Sequence, residues 1–214
     1  MSAVKVKICG LTSAKAVATA VDAGADLVGV VFFPKSPRAV TPARAATLLA
    51  PAPRRVLRVG LFVDPDDELL DNVLTHVRLD LLQLHGNESP ELAAAIGRAW
   101  GLPVMKAVGV SSAADLDAAR DYEGAVDRLM FDAKPPKGAT RPGGNARAFD
   151  WTLLAGRKWK VPWMLAGGLT AANVARAIRL SGARAVDVSS GVESAPGVKD
   201  PAKIRRFIKA AKGA

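Results

Sequence analysis

The chain has 214 residues, of which 50% are hydrophobic and 23% charged, a globular composition that excludes a disordered segment. Its single cysteine excludes an intrachain disulfide and a cysteine-built zinc cluster, and agrees with a reducing compartment. The net charge of +10 raises the question of a nucleic-acid partner. The basic residues are scattered, however (Arg54, Arg55 and Arg58; Arg157, Lys158 and Lys160; Lys203, Arg205, Arg206 and Lys209), and no RNA-binding motif accompanies them. They read as a solvated surface whose positive potential attracts small anions.

No apolar run approaches the ~20 residues of a membrane span. The start, Met1-Ser2-Ala3-Val4-Lys5, lacks the charged-then-apolar pattern of a secretory signal. A soluble cytoplasmic protein with neither membrane nor nucleic-acid partner is expected.

Strand-like and helix-like segments alternate throughout. Val4–Cys9 is apolar and β-branched, and Ser13–Gly24 follows as an alanine-rich helix. Leu27–Phe33 is a second buried strand, and Thr41-Pro42 opens the next helix, with threonine at the N-cap and proline at the first helical position. Val56–Val63 is the third strand, and Asp64-Pro65 is expected to cap a helix reaching about His76. Asp80–Leu84 is the fourth strand, with Ser89-Pro90 at the next helix start. Pro103–Val108 is the fifth, followed by a helix from Ser111 and Ser112. Arg128–Asp132 is the sixth, followed by a Pro/Gly-rich loop, Ala133–Arg147, and a short helix from about Phe149. Val161–Ala166 is the seventh, with Thr170 expected to cap its helix. Ala185–Val188 is the eighth, and a final helix runs from about Asp200 to Ala210 with Pro201 in its first turn.

Continuous apolar strands alternating with amphipathic helices imply a parallel sheet covered by helices. Eight such units fit an α/β chain folded as one (β/α)8 TIM barrel over residues 1–214, shorter than the usual ~250 residues. A doubly wound sheet would leave edge strands, and none of the eight is charged or proline-broken enough to serve as one.

In such a barrel the site lies at the C-terminal ends of the strands. Those ends carry Cys9, the loop Pro34-Lys35-Ser36-Pro37-Arg38, Gln83-Leu84-His85-Gly86, Asp132, Gly167-Gly168 and Ser189-Ser190-Gly191. Glycine turns after strands seven and eight suit phosphate, since the backbone can approach the ligand and helix N-terminal N–H groups complement its charge. This selects Gly167, Gly168, Ser189, Ser190 and Gly191, although such glycines also serve simply as tight turns.

Asp132 closes a strand and opens the long loop, placing a carboxyl where a general acid is needed; a capping aspartate is the plainer alternative. Arg38, in a proline-stiffened loop, suits bidentate recognition of a carboxylate unless it is only a surface arginine. His85 is either a pocket-lining polar group or a satisfied core histidine, and His76 at a helix end is structural. Cys9 is a thiol at a strand terminus, able to act as base or nucleophile as thiolate; a lone cysteine is also commonly a small buried apolar residue. Lys7 lies two residues earlier on the same strand face, where an ammonium would favour the thiolate. No metal-ligand cluster, dinucleotide-type glycine motif or Walker loop is present, so neither cofactor nor metal is expected.

Several motifs coincide in order along the whole chain. Lys7-Ile8-Cys9-Gly10-Leu11-Thr12, Phe32-Phe33 with Ser36-Pro37-Arg38, Gln83-Leu84-His85-Gly86 and Phe131-Asp132 resemble the phosphoribosylanthranilate isomerase family. Gly143-Gly144, Phe149-Asp150-Trp151, Ala166-Gly167-Gly168-Leu169 and Asp187-Val188-Ser189-Ser190-Gly191-Val192-Glu193 extend the resemblance. Lys134-Pro135-Pro136-Lys137 departs from it as a longer insert than many members carry.

The resemblance implies an Amadori rearrangement of N-(5-phosphoribosyl)anthranilate in tryptophan biosynthesis. In that reading Asp132 is the acid, Cys9 the base, Arg38 the holder of the anthranilate carboxylate and His85 a substrate neighbour. Gly167, Gly168, Ser189, Ser190 and Gly191 would hold the phosphate, with Lys7 and Asp187 supporting from behind. The loop Ala133–Arg147 would close over the aromatic ring. The partner is an anionic phosphosugar bearing an anthranilate, and the protein a monomer or homodimer. A sugar-phosphate aminoaldose isomerase of histidine biosynthesis is the nearest alternative, but such enzymes typically carry aspartate at the end of strand one. A non-catalytic phosphate-binding barrel is the alternative outside enzymes.

Overall fold

Residue alternation along the first strand already sorts the side chains: Val6 and Ile8 point to one face, Lys5, Lys7 and Cys9 to the other. The computed structural model, which describes residues 4–135, 138, 143 and 148–214, realises that split in a closed barrel. Its eight parallel strands are β1 (Lys5–Ile8), β2 (Leu27–Val31), β3 (Leu57–Phe62), β4 (Leu81–Leu84), β5 (Val104–Val110), β6 (Arg128–Ala133), β7 (Trp163–Leu165) and β8 (Ala185–Val188). Each pairs with the next in sequence, and β8 returns to β1 with Lys7 opposite Asp187.

Outside the barrel run α1 (Ala14–Asp22), α2 (Pro42–Leu49), α3 (Asp67–His76), α4 (Pro90–Trp100), α5 (Ala113–Ala118), α6 (Val174–Ser181) and α7 (Pro201–Lys212). Outward strand residues such as Val6, Ile8, Val28, Val30 and Phe62 pack with the helices' apolar faces into one large core. Leu27, Val59, Leu81, Met105, Met130 and Met164 fill the lower barrel interior.

Helix starts follow local chemistry. The Thr41 hydroxyl accepts a hydrogen bond from Arg44 N, the Ser89 hydroxyl accepts one from Leu92 N, and Asp200 Oδ1 accepts from Ala202 N and Lys203 N. Proline occupies the first turn in all three, where its missing N–H is no loss.

The structure departs from the sequence expectations in five places. Asp66, not Asp64, caps α3 by accepting from Leu69 N at 2.8 Å. Asp64 instead takes φ 45° and accepts from Asn87 N, tying the loop after β3 to the loop after β4. The segment after β6 ends in a single 3-10 turn, Trp151–Leu154, capped by Asp150. Thr170 caps no helix: α6 begins only at Val174, and Asn173 folds the intervening segment. Its Oδ1 accepts from Thr170 N and its Nδ2 donates to the Gly168 carbonyl. A short hairpin, β9 (Glu193–Ala195) and β10 (Val198–Lys199), lies between β8 and α7; two strands this short leave no periodicity to read. Arg58, grouped above with the solvated surface, is buried and donates to the Leu49 and Ala52 carbonyls.

Candidate active site

The strand ends converge on one pocket at the C-terminal mouth of the barrel, enclosing about 790 Å³ including its open entrance. Cys9, Arg38, His85, Asp132, Gly167, Gly168, Asp187, Ser189, Ser190 and Gly191 all line it. Lys7 alone of the expected site residues does not; it is fully buried beneath. Most of the Ala133–Arg147 loop lies outside the described residues, and with it the closure over the aromatic ring.

Barrel order arranges the chemistry. Going round the mouth, β6 is followed by β7, β8 and β1. Asp132 of β6 and Cys9 after β1 therefore flank the two turns that follow β7 and β8. In the first turn Gly167 and Gly168 both take left-handed backbone, φ 86° and 62°, which only glycine adopts without cost. A Cβ on Gly191 in the second turn would collide with the Leu169 carbonyl oxygen. The two turns are thus packed backbone to backbone. The expected helix N-terminus is displaced from them, because α6 starts at Val174. A 3-10 turn at Ser190–Val192 stands there instead.

Asp132 is held from two sides. Its Oδ1 accepts from Ala133 N at 2.8 Å, and its Oδ2 lies 3.3 Å from His85 Nε2. On the far side of the imidazole, Gln83 Nε2 sits 3.1 Å from His85 Nδ1. With Gln83 Nε2 donating to Nδ1, the imidazole hydrogen sits on Nε2, on the side of Asp132. His85 is therefore a pocket-lining group coupled to Asp132, not a core histidine. Gln83 is fully buried, and its Oε1 has no hydrogen-bond partner among the described residues.

Lys7 and Cys9 do share a face: a Cβ on Gly29 would lie 3.3 Å from Lys7 Nζ and 3.4 Å from Cys9 Sγ. The expected electrostatic outcome needs correction. Burial pushes the Cys9 thiol up, and nearby Asp187 adds to that; Lys7 and Lys199 pull it down but do not prevail. Lys7 spends its charge on Asp187, 2.8 Å away. Burial alone would lower the Lys7 ammonium, but Asp187 and Cys9 together hold it above its ordinary value. The resting site therefore holds a protonated thiol, which becomes a stronger base once ionised.

Arg38 is buried, not a surface arginine. Its Nε and Nη2 donate to Glu193 Oε1 and Oε2 at 2.7 and 2.8 Å, a buried bidentate pair. Nη1 has no hydrogen-bond partner among the described residues, which leaves the end of the guanidinium open. Lys199, from β10, donates to the Ser189 carbonyl, the Ser189 hydroxyl and Glu193 Oε1. Burial lowers the Lys199 ammonium despite the pull of Glu193. Burial would raise the Glu193 carboxyl, but Arg38 and Lys199 hold it below its ordinary value. Sequence reasoning missed Lys199 altogether and quoted Glu193 without a role; a buried charge in a short hairpin has no local signature.

Comparison with known proteins agrees with this geometry. A family model described as N-(5'phosphoribosyl)anthranilate (PRA) isomerase matches residues 6–210. The chain is 68% identical over 210 residues to the N-(5'-phosphoribosyl)anthranilate isomerase of Paramagnetospirillum magneticum, covering 98% of each chain. It is similar, at TM-score 0.85 and 39% identity over 99% of this chain and all of the other, to a phosphoribosyl anthranilate isomerase solved with reduced 1-(o-carboxyphenylamino)-1-deoxyribulose 5-phosphate. It is equally similar, at TM-score 0.85 and 40% identity over the same shares, to monomers generated from the dimeric enzyme of Thermotoga maritima. A pocket with a carboxyl and a thiol on either side of a double glycine turn, carried on a barrel matched end to end, shows that the chain belongs to the N-(5'-phosphoribosyl)anthranilate isomerase family.

Proposed function

We propose that Asp132 is the general acid and Cys9 the general base of the isomerisation that defines this family, the rearrangement of N-(5'-phosphoribosyl)anthranilate in tryptophan biosynthesis. The observation that carries the assignment is the order β6, β7, β8, β1 around the mouth: a phosphate anchored at the two central turns leaves the sugar between the carboxyl and the thiol. Gly167, Gly168, Ser189, Ser190 and Gly191 hold the phosphate. The open Nη1 end of Arg38 receives the anthranilate carboxylate, and His85, with Nε2 3.3 Å from the Asp132 carboxyl, orients it.

Asp132 gives its proton to the ribose ring oxygen as the C1–O bond breaks, and the anilino nitrogen supplies electrons to form the iminium. In the reactive form, in which Asp132 carries a proton and the Cys9 thiol has given its own to solvent, the thiolate then takes the C2 proton. The C2–H electron pair becomes a C1–C2 double bond, and the iminium nitrogen recovers its lone pair. The resulting enol tautomerises to the ketone. The iminium acidifies C2–H, and the burial that raises the Cys9 thiol makes its thiolate more basic.

The same reading has the whole chain working as one barrel domain in the cytoplasm. No helix among the described residues is long and apolar enough to cross a membrane. A homodimer is the assembly to test first, given the dimeric relative.

The test of the catalytic pair is a fluorescence assay with phosphoribosylanthranilate generated in situ. Cys9→Ala and Asp132→Asn should each lower kcat by about 10²–10⁴-fold, with far smaller changes in affinity for the reduced product analogue. Near-normal turnover in either variant removes that residue's role.

A further inference from the structure

Lys199 and Glu193 sit behind the pocket and connect two parts of it that are far apart in sequence. The Lys199 ammonium directs its donors to the Ser189 carbonyl at 2.9 Å, the Ser189 hydroxyl at 3.2 Å and Glu193 Oε1 at 2.8 Å. The same Oε1 accepts from Arg38 Nε at 2.7 Å. One carboxylate is therefore shared between the arginine that follows β2 and the lysine that holds the serine after β8.

All three charged side chains are buried, and two cations face one anion. A buried positive charge without a full complement is unfavourable until an anion arrives. The neighbouring Lys7–Asp187 pair is already balanced by itself and offers none. Glu193 also takes the Nε edge of the guanidinium, so the plane of Arg38 is set before any ligand binds. The Glu193 carbonyl is fixed in turn by Lys203 Nζ at 2.6 Å, which anchors the hairpin to α7.

We propose that Glu193 and Lys199 are positioning residues that couple the two anionic ends of the substrate, so that phosphate on the Ser189 turn and carboxylate on Arg38 are bound cooperatively rather than as separate contacts. The proposal rests on the preceding assignment of Arg38 and Ser189. Phosphate against the Ser189 turn holds Ser189 on Lys199, Lys199 stays on Glu193, and Glu193 keeps the guanidinium aimed. Loosening any link reaches both ends, which is what a coupling free energy between sites means.

The experiment is a double-mutant cycle with Lys199→Met and Arg38→Met. It reads kcat and KM for phosphoribosylanthranilate and the inhibition constant of inorganic phosphate. Lys199→Met should raise KM and weaken phosphate inhibition by larger factors than it lowers kcat, where the expected change is the loss of its pull on the Cys9 thiol. The penalty of Arg38→Met should shrink by about fivefold or more in the Lys199→Met background, the size expected for coupled groups. Lys199→Arg, which keeps charge and reach, should recover most of the loss. Should Lys199→Met fail to fold, Glu193→Gln takes its place in the cycle: the Arg38→Met penalty should shrink likewise, while phosphate inhibition should tighten, because both cations lose their shared anion.

Penalties that simply multiply, or an unchanged phosphate inhibition constant, overturn the coupling. A substrate lacking the carboxylate separates the two levels of the argument. If Arg38→Met loses equally on both substrates, the assignment of Arg38 fails. If it discriminates between them but shows no coupling to Lys199, only the present inference fails.

Discussion

The lower and upper halves of the barrel interior are made by the same eight strands and bury opposite things. Below, Leu27, Val59, Leu81, Met105, Met130 and Met164 interlock as an apolar plug. One layer up, Lys7, Gln83 and Asp187 are buried or nearly so, and above them open Cys9, His85 and Asp132. The plug removes apolar surface from water and pays the cost of ordering the strands. The upper layer has to satisfy each polar group individually, and that obligation fixes its geometry. The barrel thus separates stability and chemistry along each strand, within two or three residues.

The sharpest way to break this division is to unbalance the upper layer. Lys7→Met leaves Asp187 facing the interior without its partner 2.8 Å away. It should cost about 3–5 kcal/mol in denaturant unfolding. It also removes the main influence lowering the Cys9 thiol, so the midpoint of Cys9 alkylation against pH should move further up. In the native protein that midpoint is itself expected above the ordinary thiol value, because Cys9 is buried. Because folding raises both Cys9 and Lys7, the stability linked to them is complete below their unfolded values and is lost as pH rises through the folded ones. A midpoint unchanged in Lys7→Met would remove Lys7 from control of the thiol.

Leu81→Ala tests the other half. Leu81 is buried within the plug, and truncation should cost about 2–5 kcal/mol while kcat of the folded fraction stays near native. A kcat loss matching the stability loss would show that the two halves are not separable.

The smallest expected change is at the boundary between them. Gly29→Ala adds a methyl against Lys7 Nζ and Cys9 Sγ. Overpacking of this modest kind should cost roughly 1–3 kcal/mol or less, yet kcat should fall several-fold if the crowded thiol is the base proposed above. Equal effects of Gly29→Ala and Leu81→Ala on kcat would contradict the layered reading.

Much of this architecture was legible beforehand, unevenly and for identifiable reasons. The strand ends at Cys9, His85, Asp132, Gly167 and Ser189 were found because a parallel barrel collects its strand termini at one face. The cap at Asp64 was misplaced by two residues, because Asp64 and Asp66 both suit a helix start and Asp64 is claimed by Asn87 from a neighbouring loop. The helix after β7 was started too early, because Thr170 has the right chemistry but its N–H is taken by the Asn173 side chain. The thiol of Cys9 was expected to be eased towards ionisation by Lys7. Lys7 does pull in that direction, but burial and Asp187 outweigh it, and neither is visible in the local sequence.

By itself the sequence determined the eight strands and the helices that follow all of them but β6, the proline-supported starts of α2, α4 and α7, and which strand ends could carry chemistry. These depend on residues a few positions apart, where alternation, capping and turn preference act directly on the backbone. Only the tertiary structure decided which charges meet. Lys7 pairs with Asp187 across 180 positions and Arg38 with Glu193 across 155, and Lys199 reaches them from a hairpin too short to announce itself. Ring closure of β8 on β1 brings those groups together, and the energy of a buried charge depends on what lies within a few ångströms in space rather than along the chain.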